Sequence, residues 1–182
     1  MTKGLVRRAA NRLLHWLARS LPGATGLRPM LHRLRGVKIG ADVFIGDDVY
    51  LENEFPEVVH IERGTQISVR AIIIAHTRGA GRIIIEKNVY IGPNAVIAAS
   101  SGRTLRIGEG AVVGAGVVVS TDVAPHTFVA NEPARAVARV LVPLATAERM
   151  EDFIRGLIPI RPRRGSERAV ARPTADPGEP LP

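Results

Sequence analysis

The chain contains no cysteine, which excludes disulfides, cysteine-ligated zinc, iron–sulfur clusters and a cysteine nucleophile. It also lacks any run of about 18 or more apolar residues, so the sequence predicts no membrane-spanning helix. Outside the N-terminal segment there is no basic stripe with interleaved aromatic residues, and we expect no nucleic-acid partner. These absences fit a cytoplasmic protein, and 182 residues are enough for one main domain.

Acidic residues are absent from residues 1–38, although nine lysines and arginines lie there. The whole chain has a net charge of +8, so the rest of the sequence is nearly neutral. The basic character therefore belongs to one end of the chain, which is suited to anionic lipid or to an acidic partner surface.

The strongest pattern is an aliphatic residue at every sixth position, which we call the ladder. Its twelve members are Ile39, Ile45, Leu51, Ile61, Ile67, Ile73, Ile85, Ile91, Ile97, Ile107, Val113 and Val119. Short strands with a turn every six residues form a three-sided prism, in which three hexapeptides close one coil and the stacked coils bury the ladder. The pattern predicts an all-β solenoid of about four coils. Glycine, which directly follows several ladder residues, or polar residues are expected to relax its corners.

Three interruptions of the repeat all follow the third hexapeptide of a coil. The ladder spacing rises to ten residues after Leu51, twelve after Ile73 and ten after Ile97, so the extra segments are expected at one corner of the prism. The longest contains His76, and loops on rigid scaffolds are the usual place for chemistry. We therefore predict a functional role for His76. The neighbouring Arg78 and Arg82 are interpreted either as ligands for an anionic substrate or as solvated loop residues.

Helices are predicted at both ends of the chain. Residues 2–21 form a basic amphipathic helix, and a second short helix follows and ends at Gly36. The first has an apolar side composed of Val6, Ala10, Leu13, Leu14, Leu17 and Leu21. A further helix is predicted at 146–157, with Thr146 as its N-cap. We divide the chain into a basic helical segment (1–36), the solenoid domain (37–140), a C-terminal helix (141–160) and a disordered tail (161–182).

Two interpretations of residues 1–36 are open. The segment can cap the first coil, which a solenoid needs in order to cover its open core and unpaired edge. It can also be a peripheral anchor on the inner face of an anionic membrane, because Trp16 and the arginines suit a lipid interface.

The segments IIEKNVYIGPNAVIAA and IGEGAVVGAGVVVSTDVAPHTFVANEPARAVARV resemble the hexapeptide-repeat acyltransferases over roughly residues 36–140. The resemblance implies a left-handed parallel β-helix, whereas general connection rules favour right-handed crossovers. It also implies a homotrimer with an active site between neighbouring subunits, acetyl-CoA as co-substrate and no metal. The helical prelude ending in LRGVKIG is most similar to that of the sugar and polysaccharide O-acetyltransferases. The implied activity is O-acetyl transfer to a hydroxyl of a sugar, glycolipid or polysaccharide precursor.

By the same resemblance, His76 is expected to be the general base that removes the hydroxyl proton during attack on the thioester. Asn53 and Glu54, in the preceding insertion, are candidates to orient His76 from the same or the adjacent subunit. The backbone at Gly92, or at Gly114 to Gly116, is expected to supply an oxyanion donor. The expected contacts to coenzyme A are Gly92, Ala98, Gly114, Ala115, Gly116, Arg135 and Arg139.

Two other function classes remain open. A metal enzyme of the γ-carbonic-anhydrase kind shares the prism but needs three histidines converging on zinc, and His60, His76 and His126 fall at different register positions. A non-catalytic trimeric scaffold would use the flat faces of the solenoid to assemble partners.

Overall fold

The computed structural model describes residues 5–77, 79–132 and 136–160. Two helices come first, α1 (Leu5–Ser20) and α2 (Leu27–Leu34). The strands that follow are β1 (Lys38–Ile39), β2 (Phe44–Ile45), β3 (Tyr50–Leu51), β4 (Val59–Ile61), β5 (Gln66–Ile67), β6 (Ile72–Thr77), β7 (Arg82–Ile85), β8 (Tyr90–Ile91), β9 (Val96–Ser100), β10 (Thr104–Ile107), β11 (Val112–Val113), β12 (Val118–Val119) and β13 (Phe128–Val129). The described residues up to 132 form one compact unit, and residues 136–160 form a second.

The strands form three parallel sheets, one on each side of a prism. Their orders are β1-β4-β7-β10, β13-β11-β8-β5-β2 and β12-β9-β6-β3. In each sheet the ladder residues of successive coils are paired, as Ile45 is with Ile67 and Ile67 with Ile91. The fold is a left-handed parallel β-helix of about four coils with helices at its ends, which confirms the predicted fold class.

The ladder forms the core. All of its members are buried except the first, Ile39, which is partly buried, and most of the others have no exposed surface. A second inward row lies four positions after the ladder and includes Val43, Thr65 and Ala95. Each buried aliphatic side chain contributes about 1.5–3 kcal/mol relative to an exposed one, so a stack of Ile, Leu and Val can hold the coils together without aromatic residues.

The corners are built only partly as expected. The left-handed residue lies three positions after the ladder residue, as at Asp42, Asn88 and Asn94, each with φ between 54° and 58°. Glycines directly after the ladder serve close approach instead. A Cβ on Gly92 would lie 2.8 Å from the backbone nitrogen of Ala115, because the next coil passes directly over that glycine. Polar residues and glycines three positions after the ladder therefore relax the corners, whereas the glycines that directly follow the ladder do not.

The insertions do share one corner, as predicted. The segments from β3 to β4, from β6 to β7 and from β9 to β10 each connect the sheet that contains β3, β6 and β9 to the sheet that contains β4, β7 and β10. The insertions of successive coils are thus brought to one edge of the prism.

Three arginines cover the edge of the first coil, one on each side of the prism. Each donates a hydrogen bond to the carbonyl of a ladder residue: Arg33 to Ile39 (3.1 Å), Arg28 to Ile45 (3.1 Å) and Arg35 to Leu51 (3.3 Å). These carbonyls would otherwise be an open sheet edge. The helical segment therefore caps the solenoid, and Gly36, with φ of 105°, leads the chain from α2 into the first coil.

The second unit contains a two-stranded antiparallel sheet of β14 (Ala138–Val140) and β15 (Leu157–Pro159), with α3 (Met150–Arg155) between them in the chain. The helix predicted at 146–157 is therefore shorter. Thr146 is not its N-cap, because the hydroxyl and the N–H of Thr146 both donate to the carbonyl of Pro143 and close a separate 3-10 turn. The predicted tail, residues 161–182, lies outside the described residues.

No helix in the described ranges is both long enough and apolar enough to cross a bilayer.

Candidate active site

His76 lies at an irregularity in the sheet. Ile74 pairs with Ala98 and Thr77 pairs with Ser100, so three steps along β6 face two steps along β9. The extra residue makes a bulge that contains His76, and bulges commonly re-aim side chains next to functional sites. The imidazole is 34% exposed, which leaves it accessible at the insertion corner.

The loop after His76 is held in a tight turn. Gly79, with φ of 124°, directs its N–H to the carbonyl of His76 at 3.4 Å, and Gly81 donates to the carbonyl of Ala75 at 2.6 Å. A Cβ on Gly81 would lie 2.5 Å from the carbonyl oxygen of Ser100. The two glycines therefore fix the return of the chain to β7.

The imidazole is oriented by Glu52. Nδ1 of His76 lies 2.7 Å from Oε2 and 2.8 Å from Oε1 of this carboxylate, which is fully buried. Three backbone N–H groups also donate to the carboxylate, from Ala75 at 2.7 Å, Glu54 at 2.8 Å and Phe55 at 3.1 Å. The carboxylate thus joins the insertion of its own coil to the bulge of the next.

These donors control the ionisation of Glu52. Burial acts to raise its pKa, but the hydrogen bonds from His76 and from the backbone of Ala75, Phe55 and Glu54 outweigh it, so the pKa lies below the ordinary value. An ionised carboxylate can only accept hydrogen bonds, so Nδ1 of His76 carries the hydrogen. In the neutral imidazole the lone pair is then on Nε2. Among the described residues, the side-chain hydrogen bonds of His76 all involve Nδ1, which leaves Nε2 for a substrate.

Glu52 was not among the site residues predicted from the sequence. It directly follows Leu51, at the position occupied by glycine in several other coils. Glu86 also directly follows a ladder residue, Ile85, but in a different sheet, where its carboxylate accepts the N–H of Glu109 at 2.9 Å. A carboxylate directly after Leu51, at the insertion corner and one coil before a histidine in the longest insertion, was the available signal.

Among the residues that the structure describes, no hydrogen bond or ion pair joins Asn53 or Glu54 to His76. Asn53 accepts from Asn11 at 3.2 Å and from Arg35 at 3.3 Å. The carboxylate of Glu54 lies 3.7 Å from the guanidinium of Arg12. Within this chain, the acceptor that orients His76 is therefore Glu52. The chain turns after Leu51 and carries the side chains of Asn53 and Glu54 toward α1 instead.

Most of the expected oxyanion donors are already in use. The N–H groups of Gly92, Gly114 and Gly116 donate to the carbonyls of Val113, Val129 and Pro93 at 2.7–2.8 Å, so these three amides maintain the coils. Ala115, between two of these glycines, is exposed, and the N–H of Ala115 has no hydrogen-bond partner within the described ranges.

The remaining candidates are only partly brought together. Ala98 pairs with Ile74 beside the bulge, and Arg82 is exposed at the start of β7. Arg139 is exposed in the second unit. Arg78 and Arg135 lie outside the described residues.

The other two candidate zinc ligands, His60 and His126, lie elsewhere on the solenoid. His60 is exposed on β4, and His126 is exposed in a turn with φ of 54°. Within the residues that the structure describes, no group of three or more His, Cys, Asp or Glu side chains could hold a metal ion. A zinc site between subunits would need ligands from more than one chain, and the structure contains one chain.

Comparison with known proteins gives a consistent family. A family profile described as the hexapeptide repeat of succinyl-transferase matches residues 82–121. A Bacillus subtilis protein, YvoF, named provisionally as an acetyltransferase, is 32% identical over 119 residues, which cover 62% of this chain and 66% of that protein. The 2,3,4,5-tetrahydropyridine-2,6-dicarboxylate N-acetyltransferase of Enterococcus faecalis is 43% identical over 61 residues, 34% of this chain and 24% of that enzyme. The chain thus matches less than two thirds of the length of these relatives.

Two solved structures align with about 70% of this chain. A hexapeptide-repeat-containing acetyltransferase of Vibrio cholerae covers 71% of this chain and 88% of its own, with 22% identity and a TM-score of 0.49. A galactoside acetyltransferase in complex with coenzyme A covers 70% of this chain and 78% of its own, with 20% identity and a TM-score of 0.46. Over residues 82–121, the repeat of this chain is that of the hexapeptide-repeat acyltransferase family.

Proposed function

We propose that this protein is an acyl-CoA-dependent acyltransferase that moves an acetyl group from acetyl-CoA to a hydroxyl of a sugar, glycolipid or polysaccharide precursor. The observation that carries the proposal is the Glu52–His76 pair. The imidazole is 34% exposed, and its Nδ1 lies 2.7 Å from Oε2 of the fully buried carboxylate. A hydroxyl is a poor nucleophile at neutral pH, and a positioned base is the group that such a transfer requires.

In the proposed reaction, Nε2 of His76 takes the proton of the acceptor hydroxyl as its oxygen attacks the thioester carbonyl. The C–S bond then breaks, and the departing thiolate takes the same proton back from the imidazolium. No proton is gained or lost over the cycle. Glu52 keeps Nδ1 protonated and stabilises the positive imidazolium while it exists, as the acid does in a Ser-His-Asp arrangement.

The similarity to this family supports the donor, because the sequence relatives are named as acetyltransferases. The hydroxyl acceptor rests on the resemblance of the helical prelude to sugar O-acetyltransferases. One relative is named as an N-acetyltransferase, so an amine is the competing acceptor. The roles of Asn53, Glu54, Arg78 and Arg82 toward the acceptor, and those of Arg135 and Arg139 toward coenzyme A, are part of the proposal.

We also propose a homotrimer in which a neighbouring subunit completes the site. Val118 and Phe128 are 68% and 67% exposed on the later coils, and in the proposed trimer a neighbouring subunit would cover them. A second chain there would also supply coenzyme A contacts that one chain does not bring together.

The direct test is release of free thiol from acetyl-CoA in the presence of single acceptors. The panel should contain monosaccharides, sugar nucleotides and glycolipids on one side and matched amino sugars on the other. We expect turnover with hydroxyl acceptors. Turnover only with amines would overturn the acceptor assignment. Calorimetric titration showing no binding of acetyl-CoA or CoA would overturn the acyltransferase proposal and favour the scaffold.

A further inference from the structure

Helix α1 has a polar face that packs on the solenoid. Asn11 bonds to Asn53 and accepts a hydrogen bond from Arg35 at 2.9 Å. His15 is 6% exposed and meets the ring of Tyr50 edge-on at 4.8 Å, and Ala18 is 1% exposed. The inner side of this helix is therefore the side with the asparagine and the histidine.

Three of the apolar side chains of α1 lie on the opposite, outer face. Val6, Leu13 and Trp16 are 83%, 57% and 62% exposed. Their spacing of seven and three residues places them along one side of a helix. An amphipathic helix normally buries such a stripe. Here the capping contacts occupy the other face and leave the stripe uncovered.

The charged side chains of α1 are all positive, although Glu54 of the first coil lies 3.7 Å from Arg12. Arg8 and Arg12 are exposed on one flank of the stripe, and the side chain of Arg12 is 71% exposed. Residues 1–38 contain no acid. An apolar stripe with Trp at its centre, flanked by arginines, matches the boundary between the headgroups and the acyl chains of an anionic bilayer.

A second copy of the chain is the competing occupant. If two α1 helices packed through this stripe, the arginines of each would face the arginines of the other, with no acid on either helix to pair with them. Like charges placed together in this way oppose association. Charge complementarity therefore favours anionic lipid over self-association.

We propose that α1 is a peripheral membrane anchor that lies in the plane of an anionic bilayer and inserts Val6, Leu13 and Trp16 into the interface. Capping and anchoring then use opposite faces of one helix and do not compete. The surface does not include His76 or Glu52, so the proposal is independent of the acyltransferase activity.

The chain offers its own probe, because Trp16 is its only tryptophan. Titration of the full-length protein with vesicles of phosphatidylcholine mixed with phosphatidylglycerol should shift the Trp16 emission to shorter wavelength. Lipids brominated on the acyl chain should quench that emission. Pure phosphatidylcholine should give little shift, and added salt should weaken binding by screening the arginines. No shift on the mixed vesicles would overturn the proposal. An equal shift on both kinds of vesicle would do the same.

Vesicle co-sedimentation of variants completes the test. Arg8→Glu combined with Arg12→Glu should reduce partitioning by at least about tenfold. The matched control, Arg63→Glu combined with Arg103→Glu, changes net charge equally at exposed sites on the solenoid and should reduce it much less. Leu13→Ser should also weaken binding while leaving thermal unfolding unchanged. An emission shift that grows with protein concentration in the absence of vesicles would identify a second copy as the occupant and overturn the anchor.

Discussion

Nδ1 of His76 lies 2.7 Å from Oε2 of Glu52, a carboxylate with no exposed surface. The two residues belong to successive coils, so the stacking of the solenoid itself fixes their separation. The pair therefore depends on the register that the ladder enforces.

Replacing Glu52 with Gln should impair catalysis through His76. The amide cannot hold Nδ1 protonated as the carboxylate does, and its NH2 group would face donors such as the N–H of Ala75. We expect kcat to fall about 100-fold or more, with little change in KM for acetyl-CoA. Glu86→Gln is the control, because Glu86 also follows a ladder residue and accepts a backbone N–H, but lies in a different sheet; it should leave kcat unchanged. Equal losses in the two variants would mean that the carboxylates are only structural.

The arginine cap predicts that substituting Arg35 and Arg33 lowers the free energy of unfolding by unequal amounts. Arg35 is buried and donates to the carbonyls of Leu51 and Glu52, whereas Arg33 is exposed. Arg35→Lys should lower the free energy of unfolding by about 3 kcal/mol, because buried carbonyls lose their donors. Arg33→Lys should lower it by less than about 1 kcal/mol. Denaturant unfolding measures both, and equal effects would contradict the cap.

Close coil stacking predicts that Gly92 cannot carry a side chain. A Cβ there would lie 2.8 Å from the backbone of Ala115, and backbone cannot rotate away as a side chain can. Gly92→Ala should destabilise the protein by about 1–3 kcal/mol. Gly26→Ala is the control, because nothing lies within 4 Å of its Cβ position, and it should be neutral or slightly stabilising. A neutral Gly92→Ala in thermal unfolding would show that the coils are looser than described.

Two buried histidines make stability dependent on pH. Burial first, then the positive charge of Arg35, lowers the pKa of His15 to about 3 and that of His32 to about 2. Both start from an ordinary value of 6.5, so below that pH the unfolded chain binds protons that the folded chain does not. The free energy of unfolding should be full above about pH 6.5 and fall by about 1.4 kcal/mol per pH unit for each histidine as the pH decreases.

His15→Leu isolates this effect. The two ring nitrogens of His15 have no hydrogen-bond partner among the described residues, so an apolar side chain sacrifices no bond. The variant should be no less stable than the parent at pH 7.5, and the slope between pH 6.5 and 5 should fall by about half. His60→Leu, at an exposed position, should retain the full slope. An unchanged slope in His15→Leu would contradict the assignment.

The ladder made the fold predictable because inward Ile, Leu and Val at a period of six fit few other structures. The insertion corner, and with it the place of His76, followed from where that period lapses. Glu52 was missed because alternation along a strand turns the residue after Leu51 outward, and only the turn that leaves the coil brings it under the loop. The orientation of α1 was also beyond the sequence. Its apolar side was the obvious face to bury, yet buried arginines and histidines select the opposite one.

Single-turnover acetyl transfer by His76→Ala tests whether His76 is the base of the acyl transfer. With an acceptor that the parent protein uses, we expect a rate loss of about 100- to 10,000-fold, unchanged thermal unfolding and unchanged acetyl-CoA binding. His60→Ala, which removes an exposed imidazole from β4 in a different sheet, should transfer at the parent rate. Full activity in His76→Ala would contradict the account.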